Sequence, residues 1–377
     1  MSFVGFIDGA VCCVRVPRTR LSLQNSGETY ELYNVGMSIS RSIEPQPIMV
    51  HPANPKISII VVSFNTREMT IECLRSIIRE TSEWDYEVQV IDNCSSDRSL
   101  EAIEREFGAD PRFVIESAAS NLGFAAANNQ LSKSARGEYL LLLNPDTVIQ
   151  DQAIDRLVRF ADANPKNGIW GGRTLFADGR LNPTSCWGPF TVWSELCAAF
   201  GLRAIFPNSM LFHPRGYGSW QRDTVREVGV VTGCFLLIRR EDWEKFGGLD
   251  PEFFMYGEET DLCMRAIKDG MRPIVTPEAT IIHHGGASET ILLDKLIRLQ
   301  DGQIRLFRRH FSRIGFEAVF QAMKAGVVIR AMITGLKNRI TRNAEENMWS
   351  ELWRRRAEWT RGARGPRVSV ASADSAD

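Results

Sequence analysis

From residue 56 to residue 150 the apolar positions switch between two patterns. Ile57 to Val62 (ISIIVV) is a continuous apolar run, as expected of a strand covered on both faces. Arg67 to Arg79 carries Met69, Cys73, Leu74, Ile77 and Ile78, which is helical spacing. Tyr86 to Ile91 (YEVQVI) predicts the next strand, Ser99 to Phe107 a helix, and Arg112 to Ile115 a short strand. Phe124 to Ser134 predicts a helix of small residues, and Tyr139 to Leu143 a strand. This β-α-β-α-β-α-β order predicts an α/β fold with a right-handed, doubly wound and mostly parallel sheet flanked by helices. Such sheets bind ligands at the carboxyl ends of their strands.

Beyond that run the pattern loosens. Asp151 to Ala163 predicts a helix. Residues 177 to 227 form an irregular stretch rich in Gly, Pro and Trp, longer than an ordinary connection and so a candidate for function. Val228 to Ile238 is apolar and strand-like, interrupted by Gly233. Glu259 to Lys268 predicts a helix, Pro273 to Thr276 and Thr280 to Ile282 two short strands, and His283-His284-Gly285-Gly286 follows. Residues 1 to 55 lack sustained periodicity and end in PQPIMVHPANP, which predicts an N-terminal extension and linker, partly disordered. The globular domain is expected over residues 56 to 290. Residues 291 to 361 predict a basic, amphipathic helical extension, with Ile314, Phe316, Val319, Phe320, Met323, Val327, Val328, Met332, Ile333 and Leu336 among its apolar positions. Between 291 and 365 there are sixteen Lys and Arg against seven Asp and Glu. Residues 362 to 377 are small and polar, a disordered tail.

Composition narrows the classes. Net charge is −1 over 377 residues, so the whole chain offers no argument for nucleic acid. Eight cysteines without a CxxC or metal-ligand spacing predict reduced thiols in the cytoplasm. No apolar run reaches the ~18 residues that span a bilayer, and the start, MSFVGFIDGAVCCVRV, carries Asp8 and no basic segment, unlike a signal peptide.

Polar residues cluster where the predicted strands end: Ser63 and Asn65, then Asp92 and Asn93, then Asn144 and Asp146. Three strand ends together point to a site. The carboxylate of Asp146 suits Mg²⁺ or Mn²⁺, and such ions bridge phosphate oxygens. There is no GxxxxGK[ST] and no GxGxxG, so neither fingerprint accounts for a phosphate site. A local turn, or a cap on the Asp151 to Ala163 helix, is the plainer role for Asp146.

On a helical wheel of YGEETDLCMR, residues 256 to 265, Glu259 falls at the centre of the face carrying Leu262, Cys263, Ala266 and Ile267. Glu258 lies to the side. Asp261 points nearly opposite, which predicts a surface ion pair with Arg265. An inward carboxylate at a helix N-terminus needs a partner or a task, so Glu259 is the candidate general base. Of the adjacent His283 and His284, at most one faces the site on an extended chain. In NLGFAAANNQ, Asn121 and Gly123 open a helix, either as a cap or as a platform beside a nucleotide.

Taken together, "ISIIVVSFNTREMTIECLRSI", "VQVIDNCSSDRS", "NLGFAAANNQ", "LLLLNPDTVI", "VTGCFLLIRREDWEKFGGLDPEFFMYGEETDLCMR" and "IIHHGGAS" resemble inverting family-2 glycosyltransferases of the GT-A fold, in the rhamnosyltransferase-like branch. The resemblance implies that Ser63, Asn65 and Asp92 line the nucleobase and ribose, with Asn93, Asn121, Gly123 and Asn144 alongside. It implies that Asp146 is the metal-binding end of a DxD-type motif and that His283 helps hold the metal or the diphosphate. Glu258-Glu259 match the acidic pair whose second member is the base. Two positions depart from the pattern: the DxD position reads Asn144-Pro145-Asp146, with one carboxylate, and the base position holds Glu where Asp is commoner.

The implied reaction is metal-dependent, inverting transfer of a sugar from a nucleotide diphosphate sugar, with dTDP-L-rhamnose the favoured donor. The acceptor is a saccharide or lipid-linked saccharide of cell-surface polysaccharide synthesis, entering past residues 177 to 227, where Trp187, Trp193 and Trp220 either stack on sugars or simply pack, with Gly233 near them. The expected location is the cytoplasm, with the basic C-terminal helices as either a cap on the domain or a peripheral contact on the inner face of the plasma membrane. The alternative is a non-catalytic sugar-nucleotide-binding scaffold of an assembly complex. A nucleotidyltransferase is disfavoured, because VVSFNTREM has no glycine after the first strand.

Overall fold

Runs that are apolar on both sides end inside one sheet because helices cover both of its faces. The computed structural model describes residues 54–285, 292–341 and 347–363, and the backbone of four short strands ahead of them. The chain divides into two compact units, Met1–Met49 and Val50–Asp377. In the first, β1 (Val4–Ile7) and β2 (Ala10–Cys13) form one antiparallel pair, and β3 (Arg20–Asn25) and β4 (Glu28–Tyr33) another. The disorder expected for the rest of the N-terminal extension and for the tail from residue 364 concerns positions outside the described residues, as does Gly286.

The second unit begins with β5 (Ile57–Ser63), α1 (Arg67–Glu80), β6 (Tyr86–Asp92), α2 (Ser99–Phe107), β7 (Phe113–Ser117), α3 (Gly123–Ser132) and β8 (Tyr139–Leu143). These are the predicted elements, with ends moved by a residue or two. Then come β9 (Thr147–Ile149), α4 (Ala153–Ala163), β10 (Ile169–Leu175), β11 (Cys186–Trp187), α5 (Val192–Ala199), α6 (Leu202–Ile205), β12 (Arg226–Glu227), β13 (Val230–Val231), β14 (Phe235–Arg239), α7 (Arg240–Phe246), α8 (Glu258–Lys268) and β15 (Ile274–His283). The C-terminal helices are α9 (Leu292–His310), α10 (Arg313–Thr341), α11 (Met348–Arg354) and α12 (Arg356–Trp359).

Nine strands form one sheet in the order β12-β15-β10-β14-β8-β5-β6-β7, with β9 also on β15. Neighbours among β8, β5, β6 and β7 are parallel, as are β10 and β15, while β14 runs antiparallel between β8 and β10. Helices α1, α2 and α4 cover one face through Leu74, Ile77, Ile103 and Leu157. The other face is covered by α3, α8, α9 and α10, through Leu131, Leu262, Phe307 and Val319. The C-terminal helices thus share the core of the sheet.

One run is split where its interruption was expected, and two elements differ from expectation. The apolar run at 228 to 238 breaks around Gly233 into β13, which pairs with β11, and β14, which enters the main sheet. The two short strands near residue 280 are one ten-residue strand, β15. Strand β10 lies mid-sheet without a strong apolar signature, because Gly171-Gly172 replaces bulk with close approach. A Cβ on Gly172 would stand 2.1 Å from the Ala279 carbonyl oxygen, where the β10–β15 register shifts.

Candidate active site

Parallel strands bring their carboxyl ends to one edge, and the polar residues there meet. Ser63, Asp92 and Ser117 are register partners across β5, β6 and β7. The Ser63 hydroxyl is buried against the Thr70 hydroxyl at 2.9 Å. Asn65, in the left-handed region at φ 52, accepts from the Ser96 N–H at 2.8 Å, and its own N–H donates to Ser95. Asp92 accepts the Ser95 N–H on Oδ2 at 3.0 Å, while its Oδ1 is buried without a partner. A buried, unmatched carboxylate oxygen is costly unless a ligand supplies the donor.

Next to it, the Asn93 amide donates to Asn121 Oδ1 at 3.0 Å and accepts the Leu122 N–H at 2.9 Å. Asn121 Oδ1 also takes the Gly123 N–H. Helix α3 starts at Gly123 with φ 78, where a Cβ would meet the Phe254 carbonyl oxygen at 2.3 Å, and the Phe124 N–H donates to that oxygen. The turn into α3 is therefore locked to the segment that leads into α8. Gly233 closes on the ring of Phe124, 3.0 Å from a Cβ built there.

Asp146 lies in the turn between β8 and β9, but it caps no helix, since α4 begins only at Ala153, and its side chain reaches beyond that turn. Its Oδ2 accepts the Gly285 N–H at 3.0 Å, and its Oδ1 faces His283 Nε2 at 3.4 Å. Asn144 Nδ2 stands 3.4 Å from the same imidazole nitrogen. His283 is buried and His284 exposed, so one histidine of the pair faces the site. Burial disfavours charge on both partners. The His283 contact and the Gly285 N–H nevertheless hold the Asp146 carboxyl below its usual range. Burial likewise pulls the imidazole down, but the Cys234 sulfur and the Asp146 carboxylate outweigh it and hold its pKa up at about 10.

Among the described residues no group of three or more His, Cys, Asp or Glu could hold a metal. One carboxylate, that of Asp146, still fits Mg²⁺ or Mn²⁺ as part of a shell, because these ions keep waters and take substrate phosphates as ligands, while the imidazole beside it, held protonated, suits a phosphate oxygen.

Helix α8 opens with Glu258 and Glu259. Glu258 is the more buried, and Glu259 keeps some surface, which reverses the expected ranking of the two. Both have an Oε2 closed from solvent and without a partner. Burial pushes both carboxyls up, Glu258 well above its usual range with the Glu259 charge adding to the effect. Asp261 corrects the wheel more sharply. It does pair with Arg265, at 2.7 Å, but it is fully buried, because α9 covers that side and brings Arg309 to 3.2 Å and His310 to 2.8 Å.

The stretch from 177 to 227 supplies a cover that sequence reasoning left irregular. Strand β11 pairs Trp187 with Val230. Thr232 donates to the Thr184 carbonyl at 2.7 Å, and the Thr184 hydroxyl lies 3.5 Å from His283 Nδ1. The cover thus reaches the Asp146–His283 pair. Trp187 packs near Arg215, and Trp220 lies edge-on to Tyr217 at 5.5 Å with Arg226 over its ring. Trp193 is half exposed and donates to the Leu211 carbonyl. Sequence reasoning missed Asn182 and Thr184, which buttress His283: Asn182 Nδ2 donates to its carbonyl at 2.9 Å. Their only signal was a position inside the long irregular stretch.

The profile described as Glycosyl transferase family 2 matches residues 58–246, half of the chain. The "O-antigen biosynthesis protein RfbC" of Myxococcus xanthus is 29% identical over 235 residues, 62% of this chain and 18% of that protein. The "N-acetylglucosaminyl-diphospho-decaprenol L-rhamnosyltransferase" of Mycobacterium tuberculosis is 28% identical over 220 residues, 54% of this chain and 68% of that one. The chain thus spans less than a fifth of the length of the Myxococcus relative. Among solved structures, the mannosyltransferase PcManGT from Pyrobaculum calidifontis, in complex with GDP-Man and Mn²⁺, aligns with 85% of this chain and 90% of its own at 16% identity and a TM-score of 0.49. The profile match over half of the chain, on a mostly parallel sheet with polar residues at its strand ends, shows the family: the chain belongs to glycosyltransferase family 2.

Proposed function

We propose that this chain transfers a hexose, L-rhamnose by preference, from a nucleotide diphosphate sugar to a saccharide or lipid-linked acceptor of cell-surface polysaccharide synthesis, with inversion. The observation that carries the chemistry is the pair of carboxylates opening α8, each with one oxygen that is closed from solvent and has no partner. A general base at neutral pH needs such a carboxyl, lifted by burial toward the working pH. The donor side is supported by Asp92, whose free Oδ1 suits the ring N–H of a thymine or uracil, and by the Asn93–Asn121–Gly123 platform beside it. The relative named as an L-rhamnosyltransferase favours rhamnose, and dTDP is the nucleotide that the resemblance of the sequence motifs implies.

In this mechanism Asp146 would hold a Mg²⁺ or Mn²⁺, which when bound would supply neutralising charge for the leaving group, and His283 beside it would face the diphosphate. Glu259 takes the proton of the acceptor hydroxyl as that oxygen attacks the anomeric carbon. The bond from that carbon to the diphosphate oxygen breaks with its electron pair on the leaving phosphate, so one displacement inverts the centre. Glu259 is preferred to Glu258 because an acceptor must reach the base, and Glu259 keeps open surface. The cytoplasm, where nucleotide sugars are made, is the proposed location.

A thermal-shift panel of nucleotide sugars with and without Mn²⁺ or Mg²⁺ tests the donor reading. The expected result is a metal-enhanced shift with dTDP-rhamnose that is lost in Asp146→Asn. A panel without any shift, or one that Asp146→Asn leaves unchanged, sinks the donor assignment. Donor turnover excludes a scaffold without chemistry.

A further inference from the structure

Helix α10 behaves differently along its length. Its first half is buried through Phe316, Val319, Met323 and Val327. Its second half turns Ile329, Met332, Ile333, Leu336 and Ile340 outward, four of them at least 60% exposed. At 100° per residue these five fall within an arc of about 100°, and the exposed Lys337 and Arg339 flank that arc at about 80° on either side. Contrary to the expectation from apolar runs, α10 is long and apolar enough to cross a membrane by length and composition. Its buried first half, however, is occupied by the core.

A second exposed group lies far away in sequence. Phe200, Ile205, Phe206, Met210 and Leu211 are all at least 45% exposed, on and around α6. The Arg330 guanidinium donates to the Ala198 carbonyl at 2.8 Å, which ties α10 to the end of α5 immediately before that group. Neither segment contains Asp or Glu: none occurs from 196 to 222 or from 318 to 341, whereas Arg203, Lys337 and Arg339 are exposed there. Single exposed apolar side chains are ordinary, but two such groups on segments tied to each other, with Lys and Arg and no acidic residue in either segment, are not.

We infer that α6 with its following loop and the outer face of α10 form one surface that docks the protein on an anionic lipid bilayer. The apolar side chains would enter the headgroup–acyl boundary, and the flanking Lys and Arg would lie at the phosphates. Because α5 and α6 belong to the cover that reaches His283, docking would set the acceptor side of the cleft toward the lipid surface. This last step rests on the proposed transferase reading and names its acceptor as membrane-held, while the docking itself does not.

The test is co-sedimentation of the full chain with phosphatidylcholine vesicles with and without phosphatidylglycerol. Binding is expected only to the anionic vesicles. Ile333→Asp/Leu336→Asp in α10, and separately Ile205→Asp/Leu211→Asp, are each expected to weaken it by about tenfold or more, since each pair removes two inserted apolar side chains. Both variants keep the thermal stability of the wild type and the donor-induced thermal shift, which separates loss of docking from failure of the transferase reading. Binding that ignores either pair overturns the two-part surface, and equal binding to neutral vesicles overturns the role of charge. Resistance to alkaline extraction from membranes would make α10 a span instead. A dimer in lipid-free solution that the same substitutions dissociate would assign the face to a second copy of the chain.

Discussion

Glu259 illustrates how far a residue can be read from its neighbours in sequence. The acidic pair and its place at a helix start were legible, because the wheel needs only local periodicity. Which carboxylate is more enclosed was not, because burial at a helix start is set by tertiary packing that a helical wheel does not contain. The same limit applies to Asp146: its position after a rigid apolar strand was visible, but its partners lie 139 residues away at Gly285 and 137 away at His283. Replacing Glu259 by Gln keeps size and hydrogen bonding but removes the basic oxygen. The expected loss is about 10²–10⁴-fold in kcat, with donor affinity nearly unchanged. Since burial raises both carboxyls, activity should also fall as pH drops through a value above the ordinary glutamate range. Steady-state rates for acceptor and donor across pH check both points. Near wild-type kcat in the Glu259→Gln variant would move the role to Glu258.

At the scale of elements, α8 shows why amphipathic reasoning misjudges a helix that is sandwiched. Leu262, Cys263 and Ala266 face the sheet side of the core, as the pattern indicated, yet the opposite, charged side is also covered, by α9. Asp261 there has two guanidinium partners, Arg265 and Arg309, and the imidazole of His310. Burial opposes its charge, but the hydrogen bond from His310 and the guanidinium groups of Arg265 and Arg309 hold the carboxyl at about 2. A carboxyl lowered on folding stabilises the protein above its unfolded pKa and loses that contribution as pH falls through the folded one. Here the window runs from about pH 4 down to about pH 2, and the contribution is about 2–3 kcal/mol. Asp261→Asn should therefore lower the unfolding free energy at neutral pH by about 2–4 kcal/mol. The gap to wild type should persist to about pH 4 and close toward about pH 2. Urea unfolding at several pH values reads this directly, and a gap that stays constant with pH would mean that the carboxylate charge is not what stabilises the α8–α9 contact. Strand β10 is the complementary case. Its glycines hide it from any hydrophobic count, because the sheet selects them for backbone approach rather than for burial of side chains.

At the scale of the whole molecule, the C-terminal helices decide whether the transferase fold can stand without them. The sequence presented them as a basic extension after residue 290, equally suited to a cap or to a membrane contact. The two faces of α10 suit it to both. Phe316, Val319, Met323 and Val327 on α10, with Leu352 on α11 and Trp359 on α12, are buried against the same core as the sheet. Burying a large apolar side chain contributes about 1.5–3 kcal/mol, so these six are together worth roughly 10 kcal/mol or more. The net stability of a domain is about 5–15 kcal/mol. A chain ending at Ser312 should then lack a cooperative thermal transition and bind no donor, so deletion of these helices cannot isolate their membrane role. Substitutions on the two faces can. Val327→Asp, which places a charge at a 2% exposed site, should lower the melting temperature strongly or abolish folding. Leu336→Asp, at a 60% exposed site on the same helix, should leave the transition within a few degrees of wild type, because a surface change is worth about 0.5 kcal/mol. Calorimetry on the pair measures the contrast. Equal losses for the two would mean that the outer face of α10 is packed against protein in solution, and equal tolerance would mean that the inner face is not part of the core.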